Sequence, residues 1–273
     1  MSTLTQRAII ALTLGPLALF LIYLGGFFYA IPLAIILILA VIEFVQITRR
    51  LGWQTSYVVL LPLVLAFYVA GWWSEWDLTG PLTLVSLLVI LGYALWLYEA
   101  KKQEASAATW MAMIGGVMLM GWLGSYFFRL RGQELRMDWE WTMLAMLGTW
   151  IADSAAYVVG KFLAGNVLGK HSLSPRLSPN KTIEGYGGGI VLGTAFTVLL
   201  AYFLQLPLAP ALILGLLISI VSPLGDLGIS LLKRESGVKD SSTLFGSHGG
   251  ALDRVDSLIW SMAMAYYVVA FIQ

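Results

Sequence analysis

The sequence predicts an all-α, polytopic integral membrane protein with about nine transmembrane helices. Three observations predict this class: the mean hydropathy is +0.83, 59% of the 273 residues are hydrophobic, and only 11% carry a charge. A water-soluble domain is nearer to half apolar and about one quarter charged. Because the chain has no cysteine, the sequence excludes disulfides, thiolate nucleophiles and cysteine-built zinc sites.

A bilayer core of about 30 Å requires about 20 apolar residues per helix. Polar or Gly/Pro-rich interruptions divide the chain by that measure, the shortest being Gly25-Gly26 and the turn between Pro207 and Pro210. A glycine cluster at 185–193 predicts close packing of one helix against another. The predicted spans are approximately residues 8–24, 27–47, 57–73, 81–98, 108–128, 139–162, 185–206, 209–232 and 253–272.

Polarity divides the predicted helices into two groups. Residues 1–138 form amino-terminal transmembrane helices that face lipid or provide a dimer scaffold. Residues 139–273 carry two polar loops, at 163–184 and 233–252, and we expect any chemistry in this part.

Basic residues in short loops mark the cytoplasmic side of a membrane. With both polar loops in the cytoplasm, 13 of the 16 Lys and Arg residues lie there. The connector 129–138, with Arg129, Arg131 and Arg136, is the exception. We therefore expect a protein of the inner (cytoplasmic) membrane, with its amino terminus inside, its carboxyl terminus outside and its polar loops facing the cytoplasm.

Acidic residues interrupt the apolar sequence at residues 222–257. Asp226 and Lys233 are seven apart and share a helix face, and Asp253 and Asp256 are three apart where the last helix opens. Converging carboxylates repel one another unless a cation lies between them, and oxygen ligands suit Mg²⁺. A purely structural alternative stays open, because a carboxylate near a helix start also acts as a cap.

Cations and glycines surround these acids. Arginine forks and lysine charges bind di- and triphosphates, and paired glycines allow backbone amides to approach phosphate oxygens. For the flanking cations the alternative is an ordinary cytoplasmic flank, and for the histidine it is a hydrogen-bonding strut. The residues concerned are Lys233, Arg234, Lys239, Arg254, His248, Gly249 and Gly250.

The other polar loop offers a second anion site. Ser178-Pro179-Asn180 is typical of a turn, and Lys181 and Thr182 open the next helix, where free amides and the positive dipole end favour an anion.

Two further acids stand in apolar helices. We interpret Asp153 as the partner of Lys181 or of a bound ligand, with an interhelical hydrogen bond as the alternative. We interpret Glu43 as an acid near a helix end whose flexible side chain lets the carboxylate reach the membrane interface.

The segment SLLKRESGVKDSSTLFGSHGGALDRVD at 230–256 closely resembles the signature of phosphatidate cytidylyltransferases, also called CDP-diacylglycerol synthases. ADSAAYVVGK at 152–161 and SPNKTIEG at 178–185 resemble accompanying motifs of that family, so the similarity covers about residues 150–257. The chain departs from the family pattern at Gly246-Ser247, where Pro-Gly is usual, and at Ala251, where a bulky aliphatic residue is common.

The resemblance implies that CTP and phosphatidic acid become CDP-diacylglycerol and pyrophosphate. It also implies Mg²⁺, with an optional second, monovalent cation such as K⁺, a homodimer, and no nucleic-acid partner. Carried over by position, Asp226 and Asp253 become metal ligands and Asp256 a ligand or close neighbour. The cations around them would hold the triphosphate, and Ser178, Lys181 and Thr182 would help bind CTP or the lipid phosphate.

Two alternatives remain from the sequence. A CTP-dependent enzyme with another lipid acceptor, such as an archaeol-type phosphate or a polyprenol, would share the same motifs. A cation-coupled transporter would also place acids in the membrane, but it predicts internal repeats and broken helices in matching halves, and the sequence has neither.

Overall fold

The computed structural model describes residues 3–73, 77–102, 104–132, 137–165, 169–244, 246 and 249–272, with the side chains of residues 3–11 left aside. Within these residues the chain is mainly helical, with one small sheet. The helices are α1 Thr3–Leu24, α2 Gly26–Arg50, α3 Tyr57–Trp72, α4 Thr79–Lys101, α5 Ser106–Gly116, α6 Gly124–Leu130, α7 Asp138–Val158, α8 Ile183–Phe203, α9 Leu208–Glu235, α10 Leu252–Val255 and α11 Leu258–Ile272, with π-helical turns at Val117–Leu123 and Val159–Leu163.

The predicted class is confirmed. Seven helical runs in the described part of the chain are long and apolar enough to cross a membrane, and two shorter apolar helices, Leu12–Leu24 and Tyr57–Trp72, accompany them. Nine is therefore an approximate number of spans. The break after α1 falls at Gly25, whose φ of 63° is open to glycine at little cost.

Arg129 and Arg131 of the connector 129–138 have local partners in the structure. Arg131 Nε donates to the carbonyl of Ile22, 2.8 Å away, at the carboxyl end of α1. Arg129 donates to Thr79 Oγ1 at 2.6 Å and lies 3.7 Å from Asp77. Hydrogen bonds from Thr79, helped by the Arg129 charge, hold the pKa of Asp77 below its ordinary value. Arg136 lies outside the described residues.

The predicted turn at Ser178-Pro179-Asn180 is wrong. These residues belong to strand β2, Ser178–Thr182, which pairs antiparallel with β1, Ser172–Ser174, and the turn lies at residues 175–177. The strand leads directly into α8, where the Thr182 hydroxyl accepts a hydrogen bond from Gly185 N at 3.0 Å. The helix therefore opens where the sequence predicts, with Thr182 as its amino-terminal cap.

The chain divides into two compact units that interleave along the sequence. The first unit consists of residues 1–132 and 232–255, and the second of residues 133–231 and 256–273. Helix α9 contributes residues to both. The division at residue 138 that polarity suggests stays a prediction.

Glycines in the second unit allow α8 to pack closely on α7, as the glycine cluster predicts. A methyl group added at Gly189 would lie 2.9 Å from Ala156 Cβ and 3.1 Å from the Ala152 carbonyl oxygen. One added at Gly193 would lie 2.8 Å from Ala152 Cβ. The face of α8 that contacts Ala152 and Ala156 of α7 therefore has no room for side chains.

We expect Gly189→Val to lower the melting temperature of the purified protein, because an added side chain would force α7 and α8 apart. Overpacking of this kind costs about 1–3 kcal/mol. Gly187→Val is the matched control, because a methyl group there meets nothing within 4 Å. Equal melting temperatures for the two variants would contradict close packing at Gly189.

Candidate active site

Asp253 lies in a buried ionic network of the first unit. Its Oδ1 is 2.5 Å from Lys233 Nζ, and the two side chains are only 7% and 8% exposed. Its Oδ2 accepts from Ser241 N, Ser241 Oγ and Gly250 N at 2.8, 2.8 and 2.9 Å. A buried ion pair is tolerated when further hydrogen bonds offset its desolvation, and Asp253 has three.

Glu43 belongs to the same network, a placement that the sequence interpretation missed. It does not reach the interface, because its side chain is buried, with 5% of the residue exposed. One oxygen accepts from Ser242 Oγ at 2.6 Å and Ala251 N at 3.0 Å, and the other from Ser241 Oγ at 2.7 Å and Leu252 N at 2.8 Å. Four donors from the polar loop therefore converge on one carboxylate of α2.

The Ser241 hydroxyl connects Glu43 to Asp253. It lies 2.7 Å from Glu43 Oε2 and 2.8 Å from Asp253 Oδ2, yet it carries only one proton to donate. The remaining N–H and hydroxyl donors satisfy both carboxylates whichever way that proton points. Glu43 thereby fixes the position of the polar loop, and the same loop donates the hydrogen bonds that position Asp253.

Glycines at 249 and 250 let these carboxylates approach the loop. Gly249 has a φ of 78°, and a side chain there would collide with Asp253. A side chain at Gly250 would collide with Glu43 and Ser241. The Gly250 amide donates to the Asp253 carboxylate in this structure. Contact between this amide and a phosphate stays a prediction. His248 lies outside the described residues.

The other predicted cations of the first unit are at its surface. Arg234, Lys239 and Arg254 are exposed, and Arg234 donates to the carbonyl of Val238 at 3.2 Å. Lys239 lines a cavity of about 280 Å³ between the carboxyl-terminal end of α2 and residues 238–243. Solvent-facing cations next to a buried acid are suited to an anion that arrives from outside.

In the second unit, Lys181 pairs with Asp226, whereas the sequence interpretation offered Lys181 as one possible partner of Asp153. Lys181 Nζ lies 2.5 Å from Asp226 Oδ2, and the Ser230 hydroxyl donates to Asp226 Oδ1 at 3.3 Å. The side chains of Lys181 and Asp226 are 29% and 35% exposed, so both remain accessible. Asp153 is exposed on α7 in the isolated chain and has an interaction partner of its own.

Asp256 is placed beside α9. It is 6% exposed, and its Oδ1 accepts from the amide of Ser257 at 2.7 Å. Gly225 packs against the Asp256 main chain so closely that a side chain at 225 would strike the Asp256 carbonyl oxygen. Asp226, the next residue on α9, is therefore near Asp256 within this unit.

The remaining predicted residues of the second unit are Thr182 and Ser178. The Thr182 hydroxyl caps α8, and Ser178 is half-buried in β2. The sequence interpretation missed the contact between His171 Nδ1 and Glu184 Oε1, 2.5 Å apart, which ties β1 to the first turn of α8. Pairing of the strands depends on contacts that local sequence does not reveal.

No group of three or more carboxylate or imidazole side chains is arranged as a metal site within the described ranges. The donor chemistry nevertheless fits a hard cation. Asp253 and Asp226 are carboxylates with oxygens directed at a lysine ammonium, and oxygen is what Mg²⁺ prefers. In this structure a lysine supplies the positive charge at each of the two.

Apolar helical spans that contain buried or half-buried aspartate–lysine pairs are typical of polytopic membrane proteins with a functional polar site. The profile of the cytidylyltransferase family matches residues 5–272, nearly the whole chain. The chain therefore belongs to the cytidylyltransferase family and is a nucleotidyltransferase.

Curated relatives cover most of the chain. A phosphatidate cytidylyltransferase of Synechocystis sp. is 34% identical over 98% of this chain and 97% of its own length. The phosphatidate cytidylyltransferase of Bacillus subtilis is 31% identical over 84% of this chain and 81% of its own, and that of Brucella suis is 34% identical over 97% and 93%. The similarity thus extends well beyond the motif region at 150–257.

Proposed function

We propose that this protein transfers CMP from CTP to phosphatidic acid, giving CDP-diacylglycerol and pyrophosphate for phospholipid synthesis. The similarity to phosphatidate cytidylyltransferases over nearly full length supports this substrate pair. The structural observation that carries the proposal is the buried network around Asp253. The motif residues Lys233, Ser241 and Gly250 are its donors.

The reaction is a direct displacement. A phosphate oxygen of phosphatidic acid attacks the α-phosphorus of CTP, a new P–O bond forms, and the bond to the β-phosphate oxygen breaks as pyrophosphate leaves. A phosphate monoester is already an anion near neutral pH, so no strong base is required to activate it. Positioning and charge stabilisation therefore dominate, as in phosphoryl transfer in general.

Each unit contributes residues with a separate proposed role. In the first, the exposed side chains of Arg234, Lys239 and Arg254 are proposed to neutralise charge on the leaving pyrophosphate, while Lys233 orients Asp253. In the second, Lys181 is proposed to contact a substrate phosphate from its place beside Asp226. Ser178, Thr182, Asp153, His248 and Gly249 stay candidate binding residues on the sequence alone.

Asp226, Asp253 and Asp256 are the proposed ligands of Mg²⁺, with K⁺ as an optional second cation. When bound, such a cation supplies positive charge next to the phosphates. The protein's own part is to orient these carboxylates. It does so through the Lys233 and Ser241 contacts of Asp253, the Ser230 contact of Asp226 and the Ser257 contacts of Asp256.

We further propose that the polar loops face the cytoplasm from the inner membrane and that the protein is a homodimer. The distribution of 13 of 16 basic residues supports the orientation. Phosphatidic acid would then reach the site laterally from the bilayer, while CTP arrives from the cytosol.

Release of pyrophosphate from CTP and Mg²⁺ should require phosphatidic acid when the purified protein is assayed in detergent micelles. An archaeol-type phosphate and a polyprenol serve as matched alternative acceptors. Turnover with phosphatidic acid at least about tenfold faster than with either alternative is the expected result. Faster pyrophosphate release with the archaeol-type phosphate would keep the enzyme class and overturn the acceptor. Faster consumption of CTP with the polyprenol, with CDP as the product, would overturn the enzyme class as well.

A further inference from the structure

The cavity beside Lys239 contains a second cation that no motif indicates. It is lined on one side by Gln46 and Arg50 of α2, and on the other by residues 238–243. In the part of the chain that the structure describes, the side chains of Arg50 and Lys239 have no hydrogen bond or ion pair with another residue. Two cations with unused donors thus face one cavity whose lining contains a single acid, Asp240.

The neighbouring arginine shows that helix-end charge alone does not explain this arrangement. Cations are favoured at a helix carboxyl end, which accounts equally for Arg49 and Arg50. Arg49, however, donates to the carbonyl of Thr55 at 2.7 Å and lies over the ring of Tyr57. Only Arg50 lines the cavity and keeps its guanidinium available.

The cavity shares a wall with the Asp253 network. Ser241 lines it, donates its amide to Asp253, and has its hydroxyl 2.8 Å from Asp253 Oδ2. Ser242 also lines it, and its hydroxyl donates to Glu43. A ligand in the cavity would therefore rest on the loop segment that positions the proposed catalytic acid.

We propose that this cavity is a phosphate subsite in which Arg50, Lys239 and the Thr243 hydroxyl bind the substrate's phosphate oxygens. An arginine fork and a lysine point charge are the side chains best suited to such oxygens. A volume of about 280 Å³ is at the small end for ligand pockets, so it suits a phosphate or diphosphate group and not a whole nucleotide. The inference rests on the proposed function, and the phosphate belongs to either CTP or phosphatidic acid.

The test is steady-state kinetics of Arg50→Gln, with each substrate varied in turn. A charge-assisted contact is among the stronger hydrogen bonds, so the KM of the substrate that occupies the cavity should rise about tenfold or more. A raised KM for CTP, with weaker product inhibition by pyrophosphate, assigns the nucleotide. A raised KM for phosphatidic acid assigns the lipid headgroup. Lys102→Gln removes an exposed cation of the same unit away from the cavity and should change neither KM.

If Arg50→Gln does not fold, Gln46→Glu gives the same readout, because it adds a negative charge at an exposed position of the same lining. Values of KM for both substrates within about twofold of wild type in a folded variant would overturn the subsite. A wild type without turnover would instead refute the proposed function. Calorimetric titration with inorganic pyrophosphate would then decide the subsite, with weaker binding to Arg50→Gln in its favour and equal binding against it.

Discussion

Replacing Asp253 with asparagine should lower kcat at saturating CTP to less than one tenth of the wild-type value. Asparagine keeps the shape of the side chain but removes the charge that faces Lys233, and its amide group cannot accept all of the hydrogen bonds that reach Oδ2. A tenfold change corresponds to about 1.4 kcal/mol of activation free energy. Asp77→Asn, an exposed acid of the same unit, is the control and should leave kcat unchanged.

Stability has to be separated from chemistry in this variant, because Lys233 would be left as a buried cation without its partner. Removing one member of a buried pair costs about 3–5 kcal/mol. The double variant Asp253→Asn with Lys233→Met removes both charges and should recover most of the melting temperature without recovering kcat. Retention of more than one tenth of the wild-type rate in the folded single variant would remove Asp253 from the catalytic set.

Glu43→Gln should produce the second large effect, a fall in kcat of about tenfold with a smaller change in the KM for CTP. The expected size follows from the energetics of a buried group that loses its hydrogen-bond partner, which costs about 1–3 kcal/mol. A glutamine amide brings two donors of its own to face the four that Glu43 accepts. Ser241 would lose its fixed position and with it the alignment of Asp253.

Glu43 touches no substrate in this account, so it is a positioning residue and its test needs more than lost activity. Glu43→Asp keeps the charge and should restore part of kcat, whereas a purely space-filling role would favour the isosteric glutamine. Glu99→Gln, at an exposed position of α4, is the matched control. A wild-type kcat in Glu43→Gln would show that the loop holds Asp253 without help from α2.

Local sequence properties predict the class of fold and most helix bounds. Hydropathy is summed over neighbouring residues, so the spans emerge directly, and the breaks at Gly25 and before Leu208 follow from glycine and proline chemistry. The strand Ser178–Thr182 escapes prediction because its pairing depends on a partner segment and its residues are typical of turns.

The site is predictable only where its residues are close in sequence or joined by a motif. Lys233 and Asp253 are both candidates from the sequence, and the structure pairs them. Lys181 and Asp226 are about 45 residues apart in the sequence, and Glu43 is about 200 residues from its partner Ser241. No local sequence pattern predicts contacts over such separations. For Glu43 the useful signal is an acid in a helix with few other charges, which is costly unless its partners come from elsewhere in the fold.

The pyrophosphate-release assay tests the central claim most directly when CTP carries a label at either its α- or its γ-phosphorus. Cytidylyl transfer to phosphatidic acid predicts that the α-label enters the lipid and the γ-label leaves in pyrophosphate. Transfer of the γ-label to the lipid would mean phosphoryl transfer and would contradict the account. So would retention of both labels in CTP when phosphatidic acid and Mg²⁺ are present.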